Sequence, residues 1–164
     1  MTSHQPLEPP LIRESAFWVR SQGRWSMSNR GFRADSRISA DDRIDVFTGA
    51  DGNETVQLFA AQVEAVCGVD AFAEYEGYWL GLGSLWTADK VRIRRAVPAS
   101  EPDCFALLWV DLDDSSPWEQ IRELPGAVFH DPRSSNGLVS IMVRVSDLTD
   151  YREEVTDLSD GVLR

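Results

Sequence analysis

Asp111-Leu-Asp-Asp114 is the cluster closest to catalytic chemistry, because carboxylates at the end of an apolar strand can share a hard cation such as Mg²⁺. A structural role competes with that one. Asp113 and Asp114 lead into Ser116-Pro-Trp-Glu119, a helix start, where the dipole favours acidic residues. A second constellation is aromatic: Tyr75, Glu76, Tyr78, Trp79 and Trp86, flanked by Gly77, Gly81 and Gly83. Flat side chains beside glycines can line a ligand pocket, although aromatic residues at strand spacing also build cores. His130 completes this candidate ligand-binding set. With Asp131 next to it and Asp111 on a neighbouring strand, its imidazole could be oriented as a base.

Cys67 and Cys104 have no CxxC partner and read as reduced thiols in or near the core. A nucleophilic cysteine needs a nearby histidine, and the chain has only His4 and His130. No GxGxxG, GxSxG, Walker A or HExxH pattern occurs. The sequence therefore assigns no catalytic residue, metal or cofactor.

The net charge of −11 is unevenly placed. Residues 101–164 carry 14 acidic residues against 5 arginines, a balance of −9, whereas residues 1–100 balance at −2. A field of that sign repels phosphate backbones, so generic nucleic-acid binding is disfavoured. The one basic series is Arg13, Arg20, Arg24, Arg30, Arg33, Arg37 and Arg43, interleaved with Trp18, Trp25 and Phe32. It fits a solvated strand face or a surface for nucleic acid or an acidic partner. Lys90 is the single lysine beside 15 arginines. No apolar run is long enough to span a bilayer and the N-terminus lacks a signal-like pattern, so the expected location is the cytoplasm.

The elements that must position these residues fall into two halves. Residues 1–12 read as a flexible leader rich in proline, 13–97 as one half with a long arginine-rich loop, and 98–103 as a linker. Within the first half, Ala16–Val19 and Ile44–Phe47 read as strands. Val56, Phe59, Ala60, Val63 and Val66 share one face at helical spacing and predict a helix from Glu54. Val69–Tyr75 and Tyr78–Leu85 read as strands paired around Glu76-Gly77, with Gly81 and Gly83 suggesting a bulge or a close backbone approach, and Lys90–Val97 as a half-exposed or edge strand.

In the second half Phe105–Leu112 is almost wholly apolar, as a strand covered on both faces would be. Ser116 caps a short helix with Trp118, Ile121 and Leu124 inward, and strands follow over Ala127–His130 and Leu138–Val145. Between those strands, Asp131-Pro-Arg-Ser-Ser-Asn-Gly137 predicts a hairpin loop. Leu148, Tyr151, Val155 and Leu158 predict a closing amphipathic helix. The fold class expected is α+β, with a ferredoxin-like βαββα unit over 104–164.

The strand FALLWVDL, the helix ending LPG, AVFHD, LVSIMVRV and DLTDYREEV toward DGV give residues 104–164 a resemblance to the effector-binding domain of AsnC and leucine-responsive regulators and to ACT domains. That resemblance implies a homodimer formed through the sheet and an amino acid or similar ligand at the subunit interface. Residues 44–85 repeat the same order of elements, which suggests a tandem pseudo-repeat packed as an α+β barrel or sandwich.

The leading function is a non-enzymatic binding module that holds a small ligand or a partner protein through its sheet or its aromatic group. Two alternatives stand beside it. One is an acidic antagonist of a basic protein, of the immunity, antitoxin or phage-inhibitor kind. The other is a small α+β-barrel enzyme using His130, Asp111 or Tyr78.

Overall fold

Glu76 and Gly77 both take positive φ, 51° and 82°, as a two-residue hairpin turn requires, and Tyr75 lies opposite Tyr78 as expected. Around this hairpin the rest of the chain assembles. The computed structural model describes residues 2–4 as backbone and residues 11–32, 37–113, 115–131 and 137–163 in full. Arg33, Asp114, the loop over 132–136 and most of the expected leader lie outside the described residues.

The strands are β1 (Thr2–His4), β2 (Leu11–Ile12), β3 (Ala16–Ser21), β4 (Arg24–Met27), β5 (Arg43–Thr48), β6 (Glu54–Phe59), β7 (Ala65–Tyr75) and β8 (Tyr78–Thr87). They continue as β9 (Arg92–Ile93), β10 (Val97–Pro98), β11 (Cys104–Asp111), β12 (Val128–His130), β13 (Leu138–Arg144) and β14 (Asp150–Asp157). Two one-turn helices, α1 (Trp118–Ile121) and α2 (Ser159–Val162), and two 3₁₀ turns, Ala60–Gln62 and Val145–Asp147, complete the described elements. A ten-stranded sheet runs β1-β14-β7-β8-β11-β13-β12, with β3, β4 and β9 joining it as branches; β2 pairs with β10 and β5 with β6. Every pairing is antiparallel.

The sheet branches because β7 and β8 stay paired only from Phe72–Gly81 to the hairpin turn. Beyond that point β3 takes over the edge of β7, and β9 that of β8. Residues Arg13 to Ser15 fill the fork. The Ser15 amide donates to the Leu82 carbonyl at 3.1 Å, and its hydroxyl both accepts from the Ala71 amide at 2.9 Å and donates to the Ala71 carbonyl at 3.3 Å. Backbone groups left open by the divergence are thereby satisfied.

Arg13 points into the core on one side of this segment. Its guanidinium donates twice to Glu153, at 3.0 and 2.7 Å, and Tyr151 donates to the same carboxylate at 2.7 Å. Arg13 also lies over the Trp18 ring at 5.1 Å. Glu153 is 1% exposed, opposite Ala71 on β7, whose small side chain leaves it room. Around this network one core gathers Val69 and Ala73, Leu80, Leu82 and Leu85, Ala106 and Leu108, and Val139 and Ile141. A second core covers the other face of β3 with Val19, Val66, Ile44, Val46, Phe32 and Val162.

The α+β expectation is overturned: the chain is mostly strand, and the ferredoxin-like βαββα order over 104–164 is not its fold. The predicted helix from Glu54 is instead β6 followed by a 3₁₀ turn at Ala60–Gln62. Its alternation competes with the helical spacing and wins because Leu58 meets buried Ile44 across the β5–β6 hairpin. The predicted closing helix is β14. There the inward row is Tyr151, Glu153 and Val155, and a glutamate in a core row hid the alternation. With both helices gone, the tandem repeat and its α+β barrel or sandwich fall too. Only α1 forms near its expected place, as one turn that starts after Pro117 without a Ser116 cap.

Strand expectations fared better. The register of β8 against β11 shifts at Gly83, so of the bulge and the close backbone approach that the glycines suggested the bulge is present, and β11 is a central strand between β8 and β13. The residues on either side of 98–103 share this sheet and its core. Gly52, at φ +71°, seats the β5–β6 turn so close to Arg94 that a Cβ would lie 2.4 Å from its carbonyl oxygen. No helix among the described residues is long and apolar enough to cross a membrane.

Removing one partner from a buried ion pair strands the other charge. Glu153→Leu should therefore lower the unfolding free energy in urea by about 3–5 kcal/mol. Arg13→Met with Glu153→Leu should recover most of that loss.

Candidate functional site

β11 was expected to be covered on both faces, yet its outward row is not. Ala106 and Leu108 are buried, whereas Phe105, Leu107 and Trp109 between them are only half-buried. On the neighbouring strands Trp86 faces Phe105, and Met142, 46% exposed, faces Leu107. Trp109 lies across Gly81 and Gly83: a Cβ at Gly81 would sit 2.7 Å from its ring. The glycines are what let the indole lie against the sheet.

At one end of this open face lies a pocket of about 350 Å³ lined by Trp86, Thr87, Ala88, Lys90, Phe105 and Met142, apolar almost throughout. The sheet registers Trp86, Phe105 and Met142, and the turn between β8 and β9 supplies the rim. In that turn the Thr87 hydroxyl accepts from the Val91 amide at 3.1 Å, and the Lys90 amide donates to the Thr87 carbonyl at 3.0 Å. Lys90 closes it with φ +64°. A groove of 370 Å³ beside Phe17, Phe32 and Leu158 is larger, but Ser15, Asp70 and Thr156 mix polar groups into its wall.

Cations border the apolar pocket. Arg144 stands over the Phe105 ring at 5.1 Å and Arg92 over the Trp86 ring at 5.4 Å. The Trp86 indole N–H donates to Ser84 Oγ at 2.7 Å, which fixes the ring from below. Arg92 is held from the core side by Glu14, the residue next to Arg13. Glu14 is 3% exposed, and its Oε1 has no hydrogen-bond partner. Burial pushes its carboxyl up to about 7, against the downward pull of Arg92 and Arg94.

The sequence-predicted site residues do not converge. Trp86 lines the pocket; Tyr75, Glu76 and Tyr78 sit at the β7–β8 turn, and Trp79 lies under Arg152 at 3.8 Å. His130, on edge strand β12, meets the Ser140 hydroxyl at 3.0 Å. Asp111 and His130 both align with Leu138, from opposite sides of β13, so two strand spacings, roughly 10 Å, separate their backbones. Cys104 begins β11 at the other end from Asp111, and burial pushes both thiols up to about 11, which makes them poor nucleophiles. Asp113 is held below the usual carboxylate range by the Ser115 amide and hydroxyl, consistent with a turn role. No set of three potential ligand side chains among the described residues is placed to share a metal ion.

No family model, curated protein or solved structure matches this chain. The site thus rests on geometry alone. Sequence reasoning missed Phe105, Met142 and Lys90. Phe105 was visible as an apolar residue on a strand read as covered on both faces, Met142 as part of the mixed face of Leu138–Val145, and Lys90 as the chain's single lysine.

Glu14 gives the pocket's support a pH signature. A carboxyl raised from 4.5 to about 7 on folding favours the folded state fully below about pH 4.5, and that contribution is lost as pH rises through about 7. Urea unfolding of Glu14→Gln should gain on the parent protein by about 3 kcal/mol across this window. A constant difference between the two proteins would place the titration elsewhere.

Proposed function

We propose that this protein is a non-enzymatic binding module that holds a small apolar ligand in the pocket between Trp86, Phe105 and Met142. One observation carries the reading: large apolar side chains at the centre of a sheet are left open around about 350 Å³, within the range of small-molecule sites. A core strand gains by burying both rows, so an outward row this apolar and half-exposed leaves hydrophobic free energy available to a ligand. Specific orientation is supported by the wall itself, since Trp86 is fixed by Ser84 and Arg92. A reducing, cytoplasmic setting fits two buried, unpaired cysteines.

Nile red, a neutral apolar dye, tests the reading directly. Its emission should rise on binding, and Met142→Trp, which fills the pocket, should weaken binding at least tenfold. Phe59→Ser, an exposed apolar residue on the β5–β6 hairpin, should leave binding unchanged. Equal dye affinity for the parent protein and Met142→Trp, with both folded by urea titration, would remove the pocket as the site.

A further inference from the structure

Resting on that pocket reading, we infer that its ligand is an amphipathic anion, an apolar chain or ring ending in a carboxylate, whose head is held by Lys90. Lys90 lines the pocket yet is exposed, and the wall is apolar almost throughout, which fits a methylene stem along the cavity with its ammonium turned toward solvent at the rim. No carboxylate among the described residues lies within ion-pair distance of that ammonium.

The neighbouring cations are already engaged. Arg92 is bound to buried Glu14, and Arg144 lies over Phe105 with Asp103 at 3.9 Å in an exposed pair. Lys90 is therefore the rim cation with its charge still to be met. Its position strengthens the assignment, because at φ +64° the turn would suit glycine or asparagine better. The chain nevertheless places its single lysine there while using arginine at 15 other positions. A compact ammonium on a flexible stem can follow a carboxylate at a pocket mouth, which a rigid guanidinium fork committed to a ring or partner cannot.

Charge complementarity is local. The chain as a whole is at −11, and Asp89 and Asp103 stand near the same turn, so long-range steering does not favour an anion. Affinity must come from desolvated apolar contact with a short-range pair at the rim.

Displacement of Nile red by octanoate and by 1-octanol separates the two parts of the claim. Octanoate should bind about fivefold more tightly than octanol, the size of an exposed ion pair, and the advantage should shrink at high salt. Lys90→Gln should abolish the preference while sparing octanol, and Lys90→Arg should restore part of it. If both probes bind equally and Lys90→Gln changes neither, the anion inference is overturned while the pocket stands. Loss on Arg144→Gln in place of Lys90→Gln would move the head group to Phe105 and overturn the assignment to Lys90. Failure of both probes, with no Nile red uptake, would remove the pocket as well.

Discussion

The buried contact between Arg13 and Glu153 is the constraint on which the architecture turns. β7 and β8 leave their common hairpin and diverge, and a diverging pair exposes backbone donors and acceptors that must be met. The Arg13–Ser15 segment meets them, and its side chains lock it in both directions: Arg13 to β14 through Glu153 and Tyr151, Glu14 to β9 through Arg92. Well-packed apolar residues could provide comparable stability there. What they would not provide is register. A one-residue slip of β14 would turn Tyr151, Glu153 and Val155 to the outer face and bring Arg152, Glu154 and Thr156 inward, so the Tyr151–Glu153–Arg13 network forms only in the native register.

That lock reaches the candidate site through adjacent residues. Arg13 organises the core side of the fork, while Glu14 fixes Arg92, whose guanidinium covers the Trp86 wall. The same three-residue span that closes the sheet therefore holds one wall of the pocket. The same Trp86 wall depends on the bulge at Gly83, where the strand takes one extra residue. Without that shift, Trp86 would fall in the inward row and Leu85 in the outward one.

Much of the strand inventory was legible because it obeys simple alternation. Leu138–Arg144 buries Val139, Ile141 and Val143 as the pattern required, and the Glu76-Gly77 turn and the glycine bulge were visible as residue chemistry. The failures have equally definite causes. In β14 the inward row contains a glutamate whose partner lies 140 residues away, so hydrophobic spacing at Tyr151, Val155 and Leu158 imitated a helix. In β6 the apolar residues fit both periods, and only the meeting of Leu58 with Ile44 decides between them. Among the candidate site residues, Trp86 was legible by type, whereas its partners Phe105 and Met142 are ordinary strand residues until the sheet leaves their face open.

An open apolar face can be covered by a small ligand or by a second copy of the chain. The net charge of −11 bears on this, because two such surfaces must approach against their own repulsion, and the acidic residues crowd the second half of the chain that carries β11 and β13. On β7 and β14 the outward row sets Glu74 opposite Asp150, like charges facing across a strand pair. Such a surface is poorly suited to flat self-association, while a pocket of about 350 Å³ bordered by Lys90 and Arg144 admits a molecule small enough to avoid the acidic ground around it. On the proposed reading the acidity disfavours a second copy and leaves the apolar pocket open to a small ligand.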